Sequence, residues 1–240
     1  MDLKGKTIVI TGAAKRIGKA FALAAARDGA NIILHYGRSQ EEAFATQNEI
    51  KKLGTQCTLV QADFSNPKNT LEIFQPIFEE YDIYALVNNA SVFRQNKLMD
   101  TSLADWQIDQ DVNLTVPYLL TQAYAKSQVN QNGRVINMLD WRALRPGKDH
   151  FAYTISKAGL VALTRSAALA LAPHFQVNGL ALGAILPPSD GGDTEGIIKH
   201  VPAQRWAKME ELIDAFLFLL KAPAYITGEI IHVDGGRHLV

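Results

Sequence analysis

Seven short runs rich in β-branched residues alternate with longer segments of helical period along this chain, and no other feature of the sequence constrains the fold as strongly. The runs cover 7–11, 31–36, 56–61, 83–88, 134–139, 176–182 and 229–233. The helical segments cover 17–28, 40–53, 66–80, 105–128, 151–172 and 209–221, each long enough to carry the chain back over a sheet in a right-handed crossover. Strands joined in this way run parallel and need cover on both faces. The expected fold class is α/β: a doubly wound, seven-stranded parallel sheet with helices on both faces, in a single domain spanning 1–240.

Lysine plus arginine balance aspartate plus glutamate at 24 each, so no net field draws the chain to nucleic acid or to an anionic membrane. A small-molecule partner is expected, with neither nucleic acid nor membrane. The only cysteine, Cys57, lies in an apolar run and cannot form an intrachain disulfide. Residues 1–6 carry no secretory pattern, and the richest apolar run, 216–220, is far short of the roughly 20 residues a span needs. A soluble, cytoplasmic protein is expected. The stretch 183–205 gathers Pro187, Pro188, Gly191, Gly192, Gly196 and Pro202 without periodicity, as a loop over a site would, and an insertion at about 183–206 is assigned to the substrate.

The first run ends in Thr11-Gly12-Ala13-Ala14-Lys15-Arg16-Ile17-Gly18 and passes straight into a helix. Such a turn is where a dinucleotide's pyrophosphate meets backbone N–H groups and the positive helix end, which makes the fold Rossmann-type. Gly12 permits the tight turn and Gly18 close packing, although two glycines alone serve equally well as a cap. The second run ends in His35-Tyr36-Gly37-Arg38-Ser39, without the acid that usually meets a free ribose 2′-hydroxyl. Arg38 and Ser39, with Lys15 nearby, suit a 2′-phosphate, so NADPH is expected over NADH. The competing structural reading makes Arg38 a solvated charge and Ser39 a helix N-cap, with Glu42 completing a capping box. Asp63 and Phe64 after the third run, and Asn88-Asn89-Ala90 after the fourth, fall at strand ends where open α/β sheets bind ligands. Each alone also fits turn chemistry.

Tyr153 and Lys157 stand four apart, on one face of a long helix. An ammonium beside a phenol is expected to draw the tyrosine pKa down from about 10 toward neutrality. The bland alternative is a packed ring beside a snorkelling amine.

Taken in order, the Thr11-Gly12 to Gly18 turn, Asn88-Asn89-Ala90, Asn113, Tyr153-Thr-Ile-Ser-Lys157 and Val233-Asp234-Gly235-Gly236 resemble the short-chain dehydrogenase/reductase family over nearly the whole chain. The resemblance implies that Tyr153 exchanges the proton, that Lys157 lowers its pKa and contacts the nicotinamide ribose, and that Asn113 holds a relay water. It also implies a dimer or homotetramer, built through the 105–128 and 151–172 helices and the last strand. The family's serine, thirteen residues before the tyrosine, is Asp140 here, and its Gly-Ile-Gly is Arg16-Ile17-Gly18.

Both departures resemble the pteridine reductase branch, as do residues 11–16, His35-Tyr36 with Arg38-Ser39, and Asn89-Ala90-Ser91-Val92-Phe93. By that resemblance Phe93 stacks a flat pterin against the nicotinamide, adding about 1 kcal/mol beyond burial, while Arg16 and Ser91 hydrogen-bond its polar edge. A pterin's reducible bond is C=N, so its nitrogen must gain a proton, and Asp140 linked to Tyr153 and Lys157 is suited to supply it. Burial would raise the pKa of Asp140 for that purpose, against the pull of Lys157. Taken alone, Asp140 reads equally as a turn residue paired with Arg142 or Arg145, and Phe93 and Trp141 as core or pocket wall.

After the sixth run the family's Pro-Gly and following hydroxyl are replaced by Leu182-Gly183-Ala184-Ile185, which keeps only Gly183 as a nicotinamide contact. The implied cofactor set is Gly12, Lys15, Arg16, Ile17, Gly18, His35, Tyr36, Arg38, Ser39, Asp63, Phe64, Asn89, Ala90, Ser91, Tyr153, Lys157 and Gly183, with no metal. The leading expectation is NADPH-dependent reduction of a pterin or folate C=N bond. One alternative is a carbonyl or hydroxy-compound oxidoreductase, such as a 3-oxoacyl reductase. Another, from a different class, is a weakly catalytic NADP(H)-binding sensor or assembly protein.

Overall fold

The computed structural model describes residues 2–128, 132–187 and 194–240. Seven strands form one parallel sheet: β1 (Thr7–Ile10), β2 (Asn31–Tyr36), β3 (Cys57–Gln61), β4 (Ile83–Asn88), β5 (Gly133–Asp140), β6 (Phe175–Leu182) and β7 (Ile230–Val233). Their spatial order is β3-β2-β1-β4-β5-β6-β7. The direction of winding reverses between β1 and β4, and an open α/β sheet presents its ligand crevice at the carboxyl ends beside such a reversal.

The crossovers are α1 (Arg16–Arg27), α2 (Gln40–Lys52), α3 (Pro67–Glu80), α4 (Leu103–Gln110) with α5 (Val116–Ser127), α6 (Phe151–Leu171), and α7 (Thr194–Lys199) with α8 (Met209–Lys221). Side chains alternate across each strand, so the continuous apolar runs feed two main cores and a smaller cluster of Leu139, Leu160, Val161 and Ala181. Ile8, Ile10, Ile32, Leu34, Val87 and Ile136 pack toward α1 and α8, where Phe21 stacks on Phe216 at 4.1 Å between ring centres. Val9, Ile33, Leu86, Val135 and Val177 pack on the opposite side with Phe74, Phe78 and Tyr124. Each such buried side chain contributes about 2 kcal/mol, and together they fix the strands whose ends carry the site. Among the described residues no helix is long and apolar enough to cross a membrane.

The single helix expected over 105–128 is interrupted by a π turn at Asp111–Thr115. Its chemical cause lies just beyond: the ordinary donor to the Asn113 carbonyl would be the N–H of residue 117, and Pro117 has none. The 183–206 segment is likewise more structured than expected, since it contains α7 and buries Ile185 in the α1 and α8 core. Pro188, Gly191 and Gly192 lie outside the described residues.

Candidate active site

The glycine turn is built by close fit. Gly12 has φ +63°, and a Cβ there would come 2.9 Å from Ala90 Cα. A Cβ on Gly18 would run into the Gly12 carbonyl and lie 2.6 Å from Asn89 Nδ2. Thr11 Oγ1 accepts the N–H groups of Asn89 and Ala90, both at 2.9 Å, and Asn89 Nδ2 donates to the carbonyl oxygens of Thr11 and Gly12 at 2.8 and 3.1 Å. The end of β4 thus holds the turn rigid. Lys15, at the N-cap of α1, makes no capping bond through its side chain, and the first turn carries no acid. The leading N–H groups therefore lack a side-chain acceptor and suit a phosphate.

His35 is buried and neutral. Its Nδ1 accepts the Gly12 N–H at 3.0 Å, so Nε2 carries the hydrogen and donates to the Ala62 carbonyl at 3.0 Å. Burial pulls its pKa down to about 4. The ring stacks on Phe64 at 4.1 Å between centres, so His35 and Phe64 buttress the turn and have no ring nitrogen left for a phosphate. Tyr36, the next residue along the strand, is buried on the opposite side of the sheet in the core of α1 and α8.

Arg38 is 93% exposed, its Nη2 3.6 Å from Asp63 Oδ2, and Lys15 lies 3.7 Å from Glu42. Asp63 accepts the backbone N–H and hydroxyl of Ser65, bonds that with Arg38 hold its carboxyl below the usual range. Ser39 occupies the N-cap position of α2 but makes no capping bond, so the alternative capping box with Glu42 is not formed. The close-fitting turn, the uncapped start of α1 and the exposed cations Lys15 and Arg38, each in one long ion pair, together match a dinucleotide carrying a 2′-phosphate.

At the reaction centre Tyr153 Oη donates to Asp140 Oδ2 at 3.0 Å, while Asp140 Oδ1 accepts the Arg142 backbone N–H at 2.8 Å. Asp140 is therefore both the turn residue and a partner of the tyrosine. Burial raises its pKa, against Arg142, Tyr153 and Lys157. Lys157 Nζ donates to the Met138 carbonyl at 2.7 Å and stands 5.8 Å from the Tyr153 ring centre. Its own pKa falls to about 8 through burial. The expected lowering of the tyrosine pKa is reversed: burial, and then Asp140, push Tyr153 well above its ordinary value.

Asn113 sits on the π turn with its amide saturated. Oδ1 accepts the Ser91 hydroxyl and the Val92 N–H at 2.9 and 3.0 Å; Nδ2 donates to the Val92 carbonyl and to Ser156 Oγ, both at 3.1 Å. Phe93 is 55% exposed and meets Tyr153 edge-to-face at 4.7 Å, but one of its faces stacks on His150 at 4.0 Å. Arg16 adopts φ +53°, rare for a side-chain-bearing residue, and reaches across the crevice to the Pro187 carbonyl at 3.4 Å. Gly183 departs from its expected part: its N–H is spent on the Val233 carbonyl, its own carbonyl takes the Ile185 N–H, and a Cβ there would lie 2.6 Å from Asp234 Cα. It serves packing between β6 and β7.

Sequence reasoning missed His150 and Asn96. His150 takes φ +52° at the head of α6, and Asn96 accepts the N–H groups of Phe151 and Ala152 at 3.0 and 3.2 Å, tying the β4 loop to the tyrosine helix. No local pattern announces either, because both act only across segments distant in sequence.

A phenol, a carboxyl and an amine buried at the mouth of a dinucleotide crevice serve proton exchange coupled to hydride transfer, and the class so defined is the nicotinamide-dependent oxidoreductase. Residues 12–238 match the family model described as Enoyl-(Acyl carrier protein) reductase, and the chain belongs to the short-chain dehydrogenase/reductase family. It is 33% identical to the 3-oxoacyl-[acyl-carrier-protein] reductase of Synechocystis sp., over 98% of this chain and 97% of the relative. Among solved structures it resembles FolM alternative dihydrofolate reductase 1 from Brucella canis complexed with NADP, with TM-score 0.89, 33% identity and coverage of 100% and 97% of the two chains. It also resembles a putative NAD(P)-dependent gluconate 5-dehydrogenase from Beutenbergia cavernae with bound NADP, with TM-score 0.92, 28% identity and coverage of 100% and 99%.

Proposed function

We propose that this chain reduces the C=N bond of a pterin or folate with NADPH. The observation that carries the reading is Asp140, a buried carboxyl bonded to the Tyr153 hydroxyl at 3.0 Å where the family has serine. A carbonyl oxygen is served by a neutral hydroxyl; a ring nitrogen that must gain a proton is better served by an acid. Similarity to an alternative dihydrofolate reductase complexed with NADP supports both substrate class and cofactor.

The bound nicotinamide supplies the hydride. Gly12, Arg16, Ile17 and Gly18 would hold the pyrophosphate, Lys15, Arg38 and Ser39 the 2′-phosphate, Asp63, Asn89 and Ala90 the adenosine side, and Lys157 the nicotinamide ribose. Burial raises both Tyr153 and Asp140, and the Tyr153 hydroxyl, hydrogen-bonded to Asp140, is the donor to the substrate nitrogen, with Asp140 passing the proton on. Asn113 holds a relay water through its main-chain carbonyl, which Pro117 leaves without its usual partner; the saturated amide instead fixes Ser91 and the loop that carries Phe93. Arg16 and Ser91 meet the polar edge of the heterocycle, and the exposed part of the Phe93 ring stacks on it. The reading includes a homotetramer in the cytoplasm.

A second reading, reduction of a 3-oxoacyl or other carbonyl group, draws support from the similarity to the Synechocystis enzyme. Following NADPH absorbance with dihydrobiopterin and dihydrofolate, beside a panel of ketones that includes acetoacetyl-CoA, separates the two. Pterin turnover is expected; turnover of ketones alone overturns the proposal. Asp140→Ser is expected to lower kcat for pterins by about a hundredfold, the scale of a lost proton donor, with NADPH affinity within about twofold. Unchanged pterin turnover would remove Asp140 from the mechanism.

A further inference from the structure

A cavity of about 670 Å³ opens between the turn after β5, the end of α7 and the C-terminal turn. Arg145, Lys199 and Arg237 line it beside the flat surfaces of Trp141, Pro146 and Pro202. Among the described side chains, neither Arg145 nor Arg237 forms an ion pair with a carboxylate. The cations also feel one another: burial, and then Arg142 and Arg145, hold Arg237 below its ordinary pKa. Protein surfaces leave like charges gathered without a counter-charge at a destabilising cost, which an anionic ligand relieves.

The cavity is joined to the reaction centre by a ladder of rings and guanidiniums. Phe93 meets Tyr153 edge-to-face at 4.7 Å; the Arg142 guanidinium lies 5.6 Å from the Phe93 ring centre and 4.8 Å from that of Trp141; Arg237 lies 4.7 Å from Trp141. Asp140 holds the Arg142 backbone, so the ladder begins on the proposed proton donor itself. A substrate laid along it has its reducible ring at Tyr153, a flat linker beside Trp141 and its negative charge among the arginines.

The geometry points to this cavity as a subsite for a carboxylated substrate tail, one joined through a second flat ring to the heterocycle reduced at Tyr153. The inference rests on the pterin and folate reading and narrows it, from pterins in general to the folate-type substrate. Guanidinium forks match carboxylates bidentately, and Trp141, Pro146 and Pro202 beside them offer the linker apolar surface. Tail-less pterins would leave the cavity unused.

The test uses the whole protein saturated with NADPH. Calorimetric titration with p-aminobenzoyl-glutamate, the tail without the ring, is expected to show binding that weakens with salt and is lost in the Arg145→Ala/Arg237→Ala double variant. For each single variant, KM for dihydrofolate is expected to rise about tenfold with kcat within about twofold. Dihydrobiopterin kinetics should not move, and Arg237→Lys should recover most of the affinity. An unchanged KM for dihydrofolate, or an equal loss on dihydrobiopterin, overturns the subsite while leaving pterin reduction standing. If the wild type reduces neither compound, the pterin reading itself fails, and absence of p-aminobenzoyl-glutamate binding then overturns the subsite separately.

Discussion

His35 shows how one side chain joins sequence, stability and site. It occupies a strand end where a cofactor contact is expected, yet both ring nitrogens are bonded to the backbone that shapes the glycine turn. With its folded pKa near 4 against 6.5 for an ordinary histidine, the unfolded chain binds more protons between those values, so stability falls as pH drops through that window. Lowering the pH from 7 to 5 is expected to remove about 2 kcal/mol through this residue alone. Urea unfolding of the wild type and of His35→Gln at both pH values checks it: the wild type should lose more stability than the variant, and equal losses would show that His35 is not the group responsible. Tyr153 carries the complementary lesson, since the i, i+4 lysine was legible and the direction of the pKa shift was not. That direction depends on burial and on Asp140, which only the fold brings to hydrogen-bond distance.

Among the elements, the π turn at Asp111–Thr115 was hidden inside a segment that reads as one continuous helix. Pro117 was in plain view, but proline is tolerated in a first helical turn, so its effect on the Asn113 carbonyl needed the observed π turn ahead of α5 to be recognised. Pro117→Ala restores the missing N–H. It is expected to relax the turn toward α-helix, lower kcat about tenfold through loss of the relay water, and leave NADPH affinity within about twofold. An unchanged kcat, measured by steady-state pterin turnover, would show that the carbonyl holds no catalytic water. The seven strands were legible almost to the residue, because parallel strands buried on both faces must be continuously apolar. The 183–206 segment was not, since its helix is short and Ile185 is anchored by contacts from α1 and α8.

For the whole molecule, large apolar side chains stay exposed on helices that pack together: Leu103 on α4, Tyr118 on α5, and Ile155 and Leu169 on α6, with Leu103 and Leu169 at 80% and 83% exposure. Exposed apolar surface on a balanced-charge chain fits association between copies, in line with the homotetramer included in the proposed function. Light scattering is expected to give about four times the 26.4 kDa chain mass; a value near 26.4 kDa would overturn it.

The sequence by itself determined the order of strands and helices, the glycine turn at the first crossover, and the offset between Asp140 and Tyr153, because each is written in local periodicity or fixed spacing. Tertiary structure alone decided what those residues do. It turned His35 inward, saturated the Asn113 amide, spent Gly183 on packing, raised Tyr153, and carried Arg237 to the face of Trp141. The physical reason is the same each time: hydrogen-bond partners, burial and charge are supplied by segments remote along the chain, and a side chain's chemistry is set by those neighbours rather than by its own identity.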